Sequence, residues 1–262
     1  MGQDAQPLAR LDDRGDRLVV VNMNATKRGA LSADLYSVIA RAMAEAAQPR
    51  IRAVILTSEG GFFCAGGDLT MLIERRDLSE AERRDRIEGL HDLIRAIRTA
   101  PVPVIAAIEG GAAGAGASLA LACDLIVAAK GARFVAAYVK AGLVPDGGLT
   151  ASLARLIPRS AAMEMCLLGR PVTAERLAEL GVVNQLVEAG GADAGADALA
   201  DALARGPRDA QRVIRGLVSD AYQTPEAAQL DAERDAMARA LGSAEAAEGI
   251  QAFLDKRPPD FP

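Results

Sequence analysis

Two glycine-rich stretches offer the clearest chemistry in this sequence, and each follows a short apolar run. The first is FFCAGGDL at 62–69, after IRAVILT, and the second is GGAAGAGASLALACD at 110–124, after VPVIAAI. Each stretch leads from a predicted strand into a predicted helix, whose first N–H groups have no partner within the helix. Such amides can hold a carbonyl oxygen that becomes negative during a reaction. If the two turns meet over one carbonyl, they form a two-donor oxyanion hole.

Phosphate-binding and hydrolase interpretations of the second stretch fit poorly. A dinucleotide loop needs a third small residue where Leu119 stands, and it needs a later acid that is missing here. A P-loop needs GK[ST], which is absent. A nucleophile elbow at Ser118 needs a histidine later in the chain, but the single histidine, His91, precedes it. Cys64 is better interpreted as a small buried thiol than as a nucleophile.

Composition excludes several function classes. The 262 residues carry 30 basic and 35 acidic side chains, a net charge of −5, which argues against a general nucleic-acid or membrane surface. The three cysteines form neither a disulfide framework nor a metal pattern, and they suit a reducing compartment. The first 16 residues contain no apolar leader, and no apolar run reaches the ~18 residues of a membrane span. We therefore expect a cytoplasmic protein.

The order of elements predicts an α/β fold followed by helices. Short apolar runs alternate with helical patterns through the first two-thirds, including a helix after the Ser32 cap and another over 80–98, which indicates short parallel strands. From about Ser160 the pieces are mostly helical, and VVNQLVE alone reads as a strand. We predict an α/β core over 1–160 and a helical C-terminal region over 161–262 that mediates oligomerisation.

Five motifs in this order resemble the enoyl-CoA hydratase/isomerase, or crotonase, superfamily. They are FCAGGDL, PVIAAIEGGAAGAGASLALACDL, ARFVAAYVKAGLVPDGG, GRPVTAERLAELGVVNQLV and the terminal FLDKRPPDF, and they span nearly the whole chain. The run GLVPD followed by glycines is most similar to the branch of ring-epoxyphenylacetyl-CoA isomerases. This resemblance implies a β-β-α spiral core, a helical trimerisation tail, and an acyl-CoA thioester substrate from fatty acid metabolism or aromatic degradation.

The resemblance also implies where the substrate binds. The thioester carbonyl would lie between the N–H groups of Gly67 and Ala115. Phe253 and Lys256 would reach the CoA phosphates, either of their own substrate or of a neighbouring subunit's substrate. The rest of CoA would lie along Arg28, Ala30, Ala65, Asp68 and Leu69. CoA belongs to the substrate, so we expect no separate cofactor and no metal. We also expect a homotrimer or a hexamer, with neither a nucleic acid nor a membrane as partner.

The residues that would move protons depart from the hydratase pattern. Hydratases of the family use two carboxylates, and Ser118 and Tyr138 stand where the resemblance places those glutamates. Asp146 remains, on the GLVPDGG turn, and a single carboxylate can move a proton between two carbons. The resemblance therefore favours an enoyl-CoA isomerase with Asp146 as proton shuttle. The alternative is that Asp146 only caps the helix LTASLARL or rigidifies a Pro-Asp-Gly turn. Two interpretations stay open for Tyr138, which could donate a hydrogen bond or form a wall of the acyl pocket.

His91 leaves a second chemistry open. It falls on the helical stripe of Ile87, Leu90, Ile94 and Ile97, which is typical of a histidine on or beside a buried face. In the related 4-chlorobenzoyl-CoA dehalogenases, a histidine and an aspartate nucleophile occupy the positions of His91 and Asp146. Hydrolytic chemistry through an aspartyl ester, hydratase activity and a non-catalytic acyl-CoA binder therefore stay as alternatives to the isomerase.

Overall fold

The computed structural model describes residues 6–262, and the first five residues, which belong to the predicted core, lie outside the described residues. Two sheets form the body. Their strands are β1 Ala9–Asp13, β2 Arg17–Asn22, β3 Ala53–Ser58, β4 Val104–Ile108, β5 Gly111–Ala113, β6 Leu125–Ala129, β7 Arg133–Val135, β8 Val172–Thr173 and β9 Gln185–Val187. The larger sheet has the order β1-β2-β3-β4-β6-β9, and the smaller one has the order β5-β7-β8.

Helices surround the sheets and continue beyond them. They are α1 Ala33–Glu45, α2 Leu69–Glu74, α3 Glu80–Arg98, α4 Ala115–Ala120, α5 Leu149–Leu156, α6 Arg159–Leu168, α7 Ala174–Glu179, α8 Ala192–Ala204, α9 Arg208–Asp220, α10 Glu226–Leu241 and α11 Ala244–Asp255. Short 3-10 helices span Ala25–Lys27, Arg75–Asp77 and Ala137–Ala141. No helix within residues 6–262 is long and apolar enough to cross a membrane.

The parallel strands predicted from the apolar runs are present. Strands β2, β3, β4, β6 and β9 pair in parallel, while β1 adds an antiparallel edge that the sequence reasoning missed. The central strands are buried on both faces, as expected for a parallel sheet covered on each side. In β2, Leu18 and Val20 belong to one apolar cluster, and Val19 and Val21 belong to the other.

Different helices cover the two faces. Helices α1 and α3 contribute to the larger cluster, and α8 packs on the opposite face through Ala192, Ala196 and Ala200. Small residues let α8 approach closely, since a β-carbon at Gly195 would lie 2.7 Å from a methyl of Val127. The two layers of helices hold the carboxyl ends of the central strands, and therefore both glycine turns, in a rigid frame.

Local signals set the helix starts that matter for the site. The Ser32 hydroxyl accepts a hydrogen bond from the Leu35 N–H at 3.2 Å, as the predicted cap of α1 requires. Helix α3 spans the predicted 80–98 and begins with a reciprocal capping box between Ser79 and Glu82. One detail of the α3 stripe was wrong: Ile87 is 39% exposed, because the buried face turns through Leu93 instead.

The body extends past residue 160. Strand β8 belongs to the smaller sheet, and strand β9 belongs to the larger sheet, which α8 covers. Part of the region that we assigned to the tail is therefore part of the body. The division at 160 as a domain boundary stays a prediction. Helices α9, α10 and α11 follow, and α9 is fastened to the body by Arg215. Its guanidinium donates to the carbonyls of Ile97 and Ala100 and to the Asp124 carboxylate, each at 2.7 Å.

Candidate active site

The two glycine-rich turns lie against each other. Cys64 and Ala112 form a parallel bridge, and the Ala113 N–H donates to the Cys64 carbonyl at 2.9 Å. The Phe63 N–H donates to the Gly111 carbonyl at 3.1 Å. These backbone hydrogen bonds continue the smaller sheet into the turn at 64–68. The sequence predicted an oxyanion hole only if the two turns meet, and in the structure they do meet.

Two glycines, which have no side chain, permit this contact between the turns. A β-carbon at Gly116 would lie 2.2 Å from the Cys64 carbonyl oxygen, and one at Gly66 would lie 2.7 Å from the Ala113 carbonyl oxygen. Both distances are far below a van der Waals contact with backbone atoms that cannot move aside. Gly66 also has φ +90°, a conformation that L side chains rarely adopt. Glycine at these positions is required by the approach of one backbone to the other.

The proposed oxyanion donors have no competing partner. Within residues 6–262, neither the Gly67 N–H nor the Ala115 N–H donates a hydrogen bond to a backbone or side-chain acceptor. Ala115 is buried at the start of α4, whereas Gly67 is exposed before α2. Buried N–H groups are rarely left unpaired in proteins, so the Ala115 amide is a candidate for binding an oxygen from a substrate.

Asp146 lies at the end of a short network of hydroxyl groups. Its Oδ1 accepts a hydrogen bond from the Tyr138 hydroxyl at 2.7 Å, and its carbonyl accepts one from Ser118 Oγ at 2.9 Å. The two hydroxyl oxygens are 3.2 Å apart. Asp146 does not cap α5, because Gly148 occupies the cap position and no side chain bonds to the first turn. The helix-cap alternative was therefore wrong.

Tyr138 is the donor in this network. Burial raises the pKa of its phenol well above the ordinary value, and the negative charge of Asp146 raises it further. The ring also contacts the turn, since a β-carbon at Gly114 would lie 3.9 Å from Tyr138 Cζ. Of the two interpretations that the sequence left open for Tyr138, the hydrogen-bond donor is present.

His91 lies on α3 and is not sealed in the core. Its side chain is 35% exposed, and its Nδ1 is 3.6 Å from a Glu88 carboxylate oxygen, which is longer than a hydrogen bond. Within the described chain it makes no hydrogen bond to Asp146. The preceding residue, Leu90, is buried and contacts the Asp146 turn, since a β-carbon at Gly147 would lie 3.3 Å from Leu90 Cδ2. His91 therefore lies beside the buried face of α3, as its place on the helical stripe predicted.

Basic residues border the turn at 64–68. The Ala65 N–H donates to the Arg28 carbonyl at 2.9 Å, and the Arg28 guanidinium lies 3.9 Å above the Phe62 ring. Asp68 caps α2 through the Thr70 N–H at 2.9 Å and forms an ion pair with Lys27. The Lys27 ammonium lowers the pKa of the Asp68 carboxyl, which stays ionised. The sequence reasoning missed Lys27 and Phe62, because neither belongs to a recognisable spacing.

The other residues assigned to CoA lie in three settings. Ala30 is buried beside Arg28, and its carbonyl accepts a hydrogen bond from Asn24 at 2.9 Å. Leu69 is exposed at the start of α2. Phe253, which is 83% exposed, and Lys256 lie at the end of α11. Within residues 6–262, no hydrogen bond or ion pair joins these two to the glycine turns.

Two further side chains near the turns are informative. Tyr36 on α1 is half-buried and packs against the core, and a β-carbon at Gly89 of α3 would lie 3.9 Å from its ring. Burial raises the pKa of Tyr36, and the charge of Asp146 raises it further. No motif marks Tyr36 in the sequence. Burial raises the pKa of the Cys64 thiol to about 12, which agrees with an unreactive thiol.

Comparison with known proteins assigns this fold and site to a class. Residues 13–262 match the family described as enoyl-CoA hydratase/isomerase. The chain belongs to that family, the crotonase superfamily that the motifs predicted. Its β-β-α core and helical C-terminal region match the solved structure of an enoyl-CoA hydratase from Polaromonas sp. JS666. The TM-score is 0.94 at 42% identity, covering 97% of this chain and 99% of the other, which confirms the predicted fold class.

Two relatives of this chain are described with different activities. A Rhodobacter capsulatus protein described as a probable enoyl-CoA hydratase is 38% identical over 248 residues, or 94% of this chain and 91% of the relative. The 1,2-epoxyphenylacetyl-CoA isomerase of Escherichia coli K12 is 37% identical over 212 residues, or 80% of this chain and 81% of the relative. The chain is thus similar to the predicted isomerase branch and equally to proteins described as hydratases.

Proposed function

We propose that this chain is an enoyl-CoA isomerase, in which Asp146 moves the proton. The observation that carries the proposal is the hydrogen-bond network at Asp146. One carboxylate stands there with two hydroxyl groups, from Ser118 and Tyr138, at the positions where the resemblance places the glutamates of hydratases. A hydratase needs groups that handle both ends of a water molecule, whereas double-bond migration needs one base that takes and returns a single proton.

The first step would form an enolate. The amides of Gly67 and Ala115, which have no other acceptor in the described chain, would donate to the thioester oxygen. Charge developing on that oxygen makes the carbon next to the thioester acidic. The Asp146 carboxylate would accept a proton from this carbon, so that the C–H electron pair enters the conjugated enolate.

The second step would reverse the proton transfer at another carbon. Protonated Asp146 would return its proton to the carbon two positions farther along the chain, and the double bond would end in conjugation with the thioester. The carboxylate is regenerated, so atoms and charge balance. CoA is part of the substrate, and the mechanism requires no separate cofactor.

CoA would lie along the edge of the turn at 64–68. Arg28 and Lys27 supply positive charge for its phosphates, and the Phe62 ring keeps the Arg28 guanidinium in place. Ala65 and Ala30 would flank the pantetheine and adenine with small side chains, next to Asp68 and Leu69. Phe253 and Lys256 would approach the phosphates of a neighbouring subunit's substrate, since no hydrogen bond or ion pair of residues 6–262 joins them to their own turns.

Hydratase activity is the second candidate, and the names of relatives favour it. The Rhodobacter and Polaromonas proteins are both described as hydratases at 38% and 42% identity. In this chain a water molecule would have to be activated by Asp146 alone or with the Tyr138 hydroxyl. Hydrolysis through an aspartyl ester would need His91 to activate water at Asp146, and the two residues share no hydrogen bond. A non-catalytic acyl-CoA binder would retain the CoA contacts alone.

One incubation separates these functions. The protein is mixed with a panel of 3-enoyl-, 2-enoyl- and ring acyl-CoA thioesters in deuterated water, and the products are followed by mass spectrometry. An isomerase moves the double bond, and it incorporates deuterium where protonated Asp146 exchanges with the solvent before it returns the proton. A hydratase adds water, a hydrolase or thioesterase releases an acid, and a binder leaves every thioester unchanged. Asp146→Asn keeps the shape and should lower the isomerisation rate by ~10²- to 10⁴-fold while binding persists. An active Asn variant would reject the proposed role of Asp146.

Assembly as a homotrimer or hexamer belongs to the same proposal. Helices α10 and α11 expose large apolar side chains, among them Leu230, Met237, Ile250, Phe253 and Leu254. Apolar faces of this extent usually mark an interface. A cytoplasmic location, and a substrate from fatty acid or aromatic degradation, stay predictions that follow from this function.

A further inference from the structure

The two hydroxyl groups beside Asp146 have only two protons to give. A serine or tyrosine hydroxyl donates one hydrogen bond, and here Ser118 donates to the Asp146 carbonyl and Tyr138 donates to its Oδ1. The 3.2 Å contact between the two hydroxyl oxygens is therefore a packing contact when both protons point to Asp146. Both the backbone and the side chain of Asp146 are held from the same side.

In this arrangement the two carboxylate oxygens of Asp146 have different surroundings. Oδ1 is engaged by Tyr138 at 2.7 Å, whereas Oδ2 accepts no hydrogen bond from residues 6–262. The terminal torsion of an aspartate is soft, so an unheld carboxylate would sample many rotations. The bond from Tyr138 favours the rotation in which one oxygen faces the phenol and the other stays free.

The groups packed around Tyr138 extend to the glycine turn. Its ring contacts Gly114, the residue before Ala115, and Ser118, three residues beyond Ala115, is fully buried. Gly147 also needs to be a glycine, because a β-carbon there would lie 2.8 Å from Ser118 Cβ. The proposed oxyanion donor and the base are thereby connected through packed groups, which fixes their separation.

We propose that Tyr138 is a positioning residue that holds Oδ1 of Asp146 and leaves Oδ2 as the oxygen that carries the proton. The inference rests on the proposed isomerase function and adds the division of roles between the oxygens. One oxygen must reach two carbons of the same bound acyl chain, so its location matters more than for a base that acts once. Misplacement by about 1 Å can cost on the order of 10²-fold in rate.

The test compares two single hydroxyl deletions. Tyr138→Phe removes the donor and keeps the ring against Gly114, and Tyr222→Phe removes a phenol hydroxyl from an exposed position in the tail as the matched control. We expect kcat of the Tyr138 variant to fall roughly 10- to 100-fold with KM changed by less than about threefold. The Tyr222 variant should match the parent. A Tyr138 variant with unchanged kcat, or with a raised KM alone, would show that Tyr138 is only a pocket wall.

A double-mutant cycle separates this inference from the function on which it rests. If Tyr138 acts through Asp146, Tyr138→Phe should have little further effect in the Asp146→Asn background. Equal fold-losses in both backgrounds would overturn the positioning role while leaving Asp146 as the base. Full activity of Asp146→Asn alone would overturn both, since there would be no working carboxylate to position.

Discussion

Tyr36 shows how a single residue near the candidate site reports on its surroundings. Burial raises the pKa of its phenol to about 12, with smaller contributions from the charge of Arg75, which lowers it, and of Asp146, which raises it. Within the described chain its hydroxyl has no hydrogen-bond partner, yet no polar side-chain atom there is both sealed and unpaired. The hydroxyl oxygen of Tyr36 is therefore not sealed from solvent.

The raised pKa of Tyr36 predicts alkaline destabilisation. In the unfolded chain a phenol loses its proton near pH ~10, whereas in the folded protein Tyr36 keeps its proton until about pH 12. The stabilising contribution is thus complete below pH ~10 and is lost as the pH rises toward the folded value. Tyr138 acts in the same direction. Urea unfolding at about pH 8 and about pH 11 should show a clear fall in the free energy of unfolding.

Tyr36→Phe provides the control for that measurement. It deletes the titrating group without breaking a hydrogen bond, so the variant should lose less stability than the parent between the two pH values. Equal losses would mean that Tyr36 titrates normally and is more hydrated than its packing indicates.

At the scale of elements, the site depends on how closely α4 approaches the turn at 64–68. Gly116 lies inside α4, and its missing β-carbon makes room for the Cys64 carbonyl oxygen. The approach decides whether the Ala115 amide and the Gly67 amide can serve one oxygen. A change of one methyl group at Gly116 therefore tests the joining of the two elements.

Two helical glycines give opposite predictions. Gly116→Ala would place a methyl group 2.2 Å from the Cys64 carbonyl oxygen, so the turns must separate. We expect a loss of stability of ~1–3 kcal/mol and a larger loss of turnover. Gly216→Ala in α9 meets nothing within 4 Å and should stabilise the protein by ~0.5–1 kcal/mol with normal activity. Thermal unfolding and turnover of both variants check the pair, and an active, stable Gly116 variant would contradict the close approach.

The attachment of α9 to the body predicts a second contrast. Arg215 is largely buried, and its loss would leave Asp124 without the cation that opposes the rise in pKa caused by burial. Arg215→Met should lower the free energy of unfolding by on the order of 2 to 3 kcal/mol. Arg212→Met on the same helix removes a half-exposed charge 3.6 Å from Asp209 and should cost under ~1 kcal/mol. Similar urea midpoints for the two variants would show that α9 is held by apolar packing instead.

At the scale of the whole molecule, the helical tail leaves many large apolar side chains exposed. Helices α9, α10 and α11 surround a cavity of about 600 Å³, lined by apolar residues that include Val213, Leu217 and Met237. This cavity is remote from the glycine turns, so its size is no argument for a substrate site. Together with the exposed apolar faces of α10 and α11, it fits an interface between subunits.

Sedimentation tests this assembly. The full chain should sediment at three or six times the mass of one chain at micromolar concentration. Removal of residues 207–262 should give monomeric or insoluble protein, and Met237→Glu, at a side chain that is 60% exposed in one chain, should shift the equilibrium toward monomers. A monomeric full chain, or a Met237 variant that assembles as the parent does, would contradict the predicted interface.

The sequence by itself determined the elements whose signals are local. Capping residues and apolar periodicity placed α1 and α3, and the glycine-rich runs after β3 and β4 marked the two turns, because each depends on neighbours a few residues apart. The motif order was also enough to identify the family. Only the tertiary structure decided the contacts between distant segments. The bond from Tyr138 to Asp146, the packing of Tyr36 against the core, the ion pair of Lys27 with Asp68 and the pairing of β9 beside β6 all depend on contacts across the fold, which no local spacing encodes.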